Sequence, residues 1–284
     1  MRLYKYYGFE SGLAAIKSEK YGFRRPTNFN DPFELSFLSN SRGGATEETP
    51  LSALIDNFGK SVVILSLTRT PKNPLMWAHY GQEHKGFVIG YDVNDIFLKS
   101  YAYNVVPVDD GEVVYTNTKN KNIFGSTSMQ RIRDSYLSIM GDPDSEVDYE
   151  ARSFLRKIFL TKHASWVYEE EVRVVKVLDS MFDESVNFQS DPLRKYTSLV
   201  KENNEGKTVE IIPGLFLFDH TASIKSIYLG VRNPLLIRSN DYQAEIDLIK
   251  QKSKKRNWKL WQLSMSQSSW ALNSEEISVQ KLEK

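Results

Sequence analysis

The rhythm of apolar and polar positions predicts strands broken by short helices. RLYKYY (2–7) alternates like a first strand, and SGLAAIKSEK after it puts Leu13, Ala14 and Ile16 on the apolar side of a short helix. Residues 21–35 start extended and break into an Asn/Asp/Pro loop, GGATEETP (43–50) is a connector, and 51–59 read as a helix closed by Gly59. SVVILSLT (61–68) is a buried strand, NPLMWAHYG (73–81) a short helix ending at Gly81, and KGFVIGYDV (85–93) a return strand. YNVVPV (103–108) and GEVVYT (111–116) look like strands paired with each other. From about 123 to 164 the spacing turns helical, with Met129, Ile132, Tyr136 and Ile139 on one stripe and Phe154, Leu155, Ile158 and Phe159 on the next. SWVYEEEVRVVKV (165–177) alternates again, 179–206 are polar and poorly patterned, and KTVEIIPG (207–214) and SIKSIYLG (223–230) are later strands. Residues 241–255 form a helix with a basic end, and WKLWQLSM (258–265) a last strand. No repeat and no βαβ rhythm appears, so the expectation is a single α+β domain over 1–284. Its sheet is antiparallel or mixed, with a helical insertion at 123–164.

Composition narrows the chemistry. The 284 residues include no cysteine, which removes disulfides, thiolate metal sites and cysteine nucleophiles, and fits a cytoplasmic protein. A net charge of +1 gives no global field for nucleic acid. The first residues lack the apolar core of a signal peptide, and no run is long enough to span a membrane, so no membrane partner is expected. Fifteen Tyr and fifteen Phe supply rings for a core or for a flat-ligand pocket.

Four stretches carry polar groups with chemical potential. In LYKYY, Tyr4 and Tyr6 share one strand face and Lys5 takes the other, as in an edge strand with a snorkelling lysine. In NFNDPFE (28–34), Asn30-Asp31-Pro32 makes a tight turn, Phe29 and Phe33 anchor it, and Asn30, Asp31 or Glu34 reaches a site rim. Ser66 and Thr68 alternate at the end of an apolar strand, where their hydroxyls can hold a loop or a carboxylate. The helix after them offers Trp77, His79 and Tyr80, with Trp77 and Tyr80 neighbours at spacing three. The fourth is the run Glu169-Glu170-Glu171. Strand alternation puts Glu169, Glu171 and Arg173 on one face. An exposed charge ladder is the plain reading, worth about 0–1 kcal/mol per pair. Two carboxylates beside aromatic rings can instead tune each other's protonation for acid–base work.

Together, in this order, these stretches resemble a bacterial family of uncharacterised domains. Its marks are LYKY, NDPFE, MWxHYxxxxxGF and WxxExExR, found here at Leu3–Tyr6, Asn30–Glu34, Met76–Tyr80 with Gly86–Phe87, and Trp166–Arg173. The order of a first strand, a Ser-x-Thr strand end and a Glu-x-Glu strand is also similar to the ADP-ribosyltransferases. That resemblance implies a split sheet clamping NAD, used as substrate. Tyr4 or Lys5 would contact the nucleotide, Ser66, Thr68 and Tyr80 the nicotinamide ribose, and Glu169 or Glu171 would drive the chemistry. Asn30 would stand at the rim, Trp77 or Tyr80 would stack on nicotinamide, His79 would donate to the nucleotide, and Arg173 would hold a glutamate or a phosphate. It further implies a toxin or phage-defence effector with a protein, RNA or DNA acceptor and an antitoxin or other protein partner. Two other readings stay open on the residues. Asp31, Glu34, Glu169 and Glu171 suit Mg²⁺ in a nuclease or phosphoesterase, and the rings with KQKSKKR suit single-stranded nucleic acid.

Overall fold

In a computed structural model, residues 1–31, 33, 60–118, 131, 134, 148–178, 191–237 and 240–278 are described. The expected helix at 51–59, the connector at 43–50, the stripe residues Met129, Ile132, Tyr136 and Ile139, and Glu34 lie outside them. The described chain is α+β, with a mixed, mostly antiparallel sheet. Its strands are β1 (Arg2–Tyr7), β2 (Lys20–Arg24), β3 (Val62–Thr68), β4 (Phe87–Asp92), β5 (Val114–Thr116), β6 (Thr161–His163), β7 (Glu171–Val177), β8 (Tyr196–Ser198), β9 (Val200–Glu202), β10 (Thr208–Glu210), β11 (Leu215–Thr221), β12 (Ile224–Leu229), β13 (Lys259–Met265) and β14 (Leu272–Ile277). Five helices accompany them: α1 (Phe9–Ser18), α2 (Pro74–His79), α3 (Ile96–Lys99), α4 (Tyr149–Phe159) and α5 (Gln243–Arg256).

The main sheet runs β14-β13-β12-β4-β1-β3-β2-β11-β8, with β7 also paired to β3. Strand β3 organises it. Seven residues of β7 lie along one edge of β3 in antiparallel register. The other edge is shared: β1 pairs at Tyr4↔Thr68, and β2 pairs at Arg24↔Ile64. The apolar run VVILSLT suits a strand covered on both faces. One cluster, with Leu3, Phe23, Leu65, Ile89 and Val174, fills the larger core. A second joins Tyr6, Met76, Trp77, Val88 and Tyr228.

The β12–β13 pair is parallel, and α5 makes the crossover that such a pair requires. The basic last turn of α5, Lys254 to Arg256, precedes Asn257 in a left-handed cap, as the macrodipole favours.

Several expectations need correction. Strand β1 sits between β3 and β4, so Lys5 is on no edge. The two segments expected to pair with each other instead line the outer edge of β7. Val105 N and Val106 N donate to Val175 O, Arg173 N donates to Gly111 O at 2.8 Å, and Val113 N donates to Glu171 O. A buried strand edge must find backbone partners, and this edge found them in irregular chain. Glycine is required at 111, because a Cβ there would lie 1.9 Å from Arg173 O. The helical insertion contains α4, with Leu155, Ile158 and Phe159 buried, but 161–163 form β6, parallel to β5, and 164–169 a 3₁₀ turn. Ala14 and Phe33 are exposed, so Phe33 does not anchor the Asn/Asp/Pro turn in the core. Strands β8, β9, β11 and β14 were not anticipated.

Candidate functional site

A cavity of about 690 Å³ opens where β1 and β2 part along β3, and α2 and the 3₁₀ turn form part of its wall. Register puts three of the singled-out strands side by side: Tyr4 on β1 faces Thr68 on β3, and Thr68 faces Glu171 on β7. Directly opposed residues share a sheet face. Tyr4, Lys5, Asn30, Ser66, Thr68, Tyr80, Glu169 and Glu171 all line the cavity.

The glutamates are not an exposed ladder. Glu169 is 4% exposed, Glu171 6% and Arg173 1%. They also do not share one strand. The strand starts at Glu171, and Glu170 turns the chain with φ 45° and ψ 48°. That left-handed residue lets Glu169 reach back over the start of β7. Both carboxylates then meet on Lys162 of β6, whose Nζ donates to Glu169 Oε2 at 2.6 Å and to Glu171 Oε2 at 3.2 Å. The Trp166 ring lies 5.0 Å from the same ammonium. Arg173 grips Glu171 with two bonds, Nε to Oε1 and Nη2 to Oε2, both 2.9 Å, and donates through Nη1 to Phe159 O. Tyr80 donates its hydroxyl to Glu169 Oε1 at 2.6 Å.

These surroundings push the two carboxyls apart. Burial pushes Glu171 up, but the charges of Arg173 and Lys162, with hydrogen bonds from Arg173 and Ser66, override it and hold the carboxyl down at about 2. Burial and the charge of Glu171 push Glu169 up, and Lys162 and Tyr80 only partly offset them, so Glu169 stays above the usual range. Tyr80 is raised by burial and by its bond to Glu169, so its hydroxyl keeps its proton and remains a donor. A pair of carboxyls driven to opposite sides of the ordinary value suits division of labour between a titrating group and a fixed anion.

The sequence explains how α2 is held. Asn73 is its N-cap, accepting from Leu75 N and Met76 N, and Pro74 fills the first helical position. The Asn73 amide nitrogen donates to Tyr168 O at 2.7 Å, and its backbone N donates to Tyr6 Oη. One residue thus ties β1, α2 and the 3₁₀ turn together. Behind α2, Gln82, Glu83 and His84 take left-handed backbone with φ of 49°, 54° and 68°. Gln82 Oε1 there accepts from Phe9 N at 2.8 Å, satisfying the start of α1, and the His84 ring stacks on Trp77.

Some candidates fall elsewhere. Trp77 is fully buried, bonded to Pro71 O and packed on Tyr6, so it supports the wall and cannot stack on a ligand. His79 is exposed, beside Tyr168 and outside the cavity lining. Arg173 acts behind Glu171 and does not line the cavity. Lys162 and Asn73 were missed. Asn-Pro before an apolar turn is a readable cap signal, whereas nothing in TKHASW marks Lys162.

As for metal, no group of three or more acidic or histidine side chains among the described residues is placed to hold an ion. The Lys162 ammonium occupies the position between Glu169 and Glu171 that a cation would take. Thr68 is 2% exposed, and its hydroxyl has no partner among the described residues although the residue lines the cavity. Such an orphaned group fits a ligand that brings an acceptor or a donor. No described helix is long and apolar enough to cross a membrane.

The expectation of an uncharacterised family is met by one match. Residues 76–174 match DUF2971, a family of proteins of unknown function. The matched stretch runs from α2 to β7 and includes Tyr80, Lys162, Glu169, Glu171 and Arg173. Searches of the curated proteins and of the solved structures returned no match.

Proposed function

We propose that the protein is an ADP-ribosyltransferase-like enzyme that takes NAD as substrate and passes its ADP-ribosyl group to a macromolecular acceptor. The observation that carries this reading is the buried pair Glu169–Glu171, held at opposite protonation tendencies beside an aromatic-walled cavity. A volume of about 690 Å³ suits a ligand of that size, since ligand pockets run to roughly 300–1,000 Å³.

The charges favour Glu169 as the working carboxylate, rather than Glu171. Both oxygens of Glu171 are already taken by Arg173 and Lys162, so a further positive charge gains little from it. Glu169 is buried with poorer compensation. Cleavage of the glycosidic bond sends its electron pair to the nicotinamide nitrogen and leaves positive charge on the ribose. A carboxylate that is under-solvated beforehand gains most from that charge, so the transition state is favoured over the ground state. The acceptor then bonds to the anomeric carbon, and its proton passes to Glu169. Lys162 and Tyr80 aim the carboxylate, and Glu171 with Arg173 fixes Lys162.

Labelled NAD and a cell lysate test this, with wild type set against Glu169→Gln and Glu171→Gln. Glu169→Gln is expected to lower label transfer or nicotinamide release about 10²–10³-fold, the scale of losing one electrostatic stabiliser. Because Glu169 must be ionised, wild-type turnover should rise with pH through a window above the ordinary glutamate value. Nicotinamide release equal in all three proteins, or none in any, removes the proposal.

A further inference from the structure

The cavity also holds cations with no ion-pair partner among the described residues. Lys5 extends from β1 across the gap between the strands, and its Nζ donates to Gly22 O of β2 at 3.0 Å, a carbonyl and not a carboxylate. Two residues on, Arg24 of β2 lines the same cavity, and its Nε is buried without a hydrogen-bond partner among the described residues. Neither side chain forms an ion pair with a described residue. The unpartnered hydroxyl of Thr68 lines the same space. Glu171, the carboxylate that bears on Lys5 from β7, is already saturated by Arg173 and Lys162.

We propose that Lys5 and Arg24 form an oxyanion site that takes a phosphoryl group of the cavity's ligand, in the gap where β1 and β2 part. Two like charges that face one cavity without an ion-pair partner among the described residues repel each other. An anion between them removes that cost and supplies acceptors to groups that otherwise lack them. Arg24 brings a planar fork matched to phosphate oxygens, and Lys5 a point charge.

The protonation of Lys5 agrees. Burial lowers its pKa, Arg24 lowers it further, and Glu171 only partly restores it, leaving it at about 8. The Tyr7 ring lies 5.9 Å from the ammonium, and Lys17, Lys20, Asp31, Tyr80, Lys162 and Glu169 are among the other charged or titratable groups that line the cavity. A bound anion stabilises the protonated form, so binding should take up a proton near pH 8 and weaken as pH rises above it. The site deepens the transferase reading, and rests on it only for the ligand's identity.

Titration calorimetry of the full chain with inorganic pyrophosphate is the test. Pyrophosphate has no glycosidic bond, so the outcome does not depend on whether NAD is cleaved. Wild type should bind one equivalent at pH 7, and more weakly at pH 9. Arg24→Gln and Lys5→Met should each weaken binding at least tenfold. Arg24→Lys, which keeps the charge, should stay within about fivefold. A second arm uses ADP-ribose: the same dependence on Lys5 and Arg24 assigns the phosphoryl group to a nucleotide, and dependence for pyrophosphate alone assigns it to a free phosphate. No binding of pyrophosphate by wild type at millimolar concentration, or equal binding by wild type and Arg24→Gln, overturns the site.

Discussion

Strand β7 carries two buried cations, and the chain accommodates them in opposite ways. Near its start, Arg173 is met by a carboxylate at 2.9 Å, and Lys162 brings in a second one. Near its end, Lys176 is just as buried, but among the described residues its Nζ donates only to carbonyls, Phe97 O at 2.9 Å and Tyr103 O at 3.0 Å, with the Phe97 ring 3.7 Å away. Asp95, Asp191 and Arg194 act on it only at longer range. The consequences for protonation differ. Charges that compensate each other keep Glu171 ionised down to about 2, whereas burial among rings and carbonyls drives Lys176 well below the ordinary lysine value. The first end keeps groups charged and borders a cavity; the second favours loss of charge within the aromatic core. A buried ionisable group alone therefore does not mark a site. Of the two ends, it is on the one that borders the cavity that the proposed chemistry rests.

The largest effect expected is at the compensated end. Arg173→Met leaves Glu171 buried without its bidentate partner, and breaking a buried pair from one side costs about 3–5 kcal/mol. Urea denaturation at pH 7 measures it, and a loss below about 1 kcal/mol would mean that Lys162 and Ser66 alone carry the carboxylate. Acid exposes the same dependence. The folded pKa of Glu171 lies below its unfolded value, so its contribution is complete above the ordinary glutamate range and is lost as pH falls through about 2.

At the other end the effect should be smaller, and its pH dependence, of the same sign, should lie below the ordinary lysine value instead of in acid. Lys176→Met removes an ammonium that the core disfavours and leaves two carbonyls short of a donor, so at pH 7 it should cost less than Arg173→Met. The folded pKa of Lys176 is below the unfolded one, so between those values the unfolded chain binds the extra proton. Wild-type stability should then rise relative to the variant as pH climbs toward the ordinary lysine value, by up to about 1.4 kcal/mol per pH unit. Denaturation at pH 7, 8 and 9 checks the slope; a flat difference would show that Lys176 stays charged in the fold.

The same comparison explains what could be read from the sequence. Apolar runs such as VVILSLT and FVIGYD are long enough to show their period, and both proved to be strands. The glutamate run announced paired carboxylates, yet its burial was not visible, because the compensating Lys162 sits on a three-residue strand too short to carry a pattern. Strict alternation also misplaced Glu169, since one left-handed residue, Glu170, resets the face. The spacing of Trp77 to Tyr80 fits a core anchor as well as the ligand platform that the resemblance implies for one of them, and burial decides for the core at Trp77. Lys5 was legible as a polar group on an aromatic strand, but its lack of an ion-pair partner among the described residues depends on where β1 and β2 part, which is a property of topology.

The smallest effect, and the most local, is at Asn73. Its side chain caps α2 and donates to Tyr168 O, so Asn73→Ala removes a cap and one tie to the turn that carries Glu169. Cap loss costs about 0.5–2 kcal/mol. The informative part is the division between stability and site geometry. If Asn73 serves only α2, Asn73→Asp, which keeps the accepting oxygen, restores stability and leaves nothing else changed. If it also registers the 3₁₀ turn against the helix, Asn73→Asp regains the cap but places a carboxylate against the Tyr168 carbonyl. The 2.6 Å bond from Tyr80 to Glu169 should then loosen. Tyrosine ring signals followed by NMR through a pH titration would separate the two: the Tyr80 signal reports ionisation of Glu169, and in Asn73→Asp its midpoint should shift from that of wild type even where the melting temperature does not.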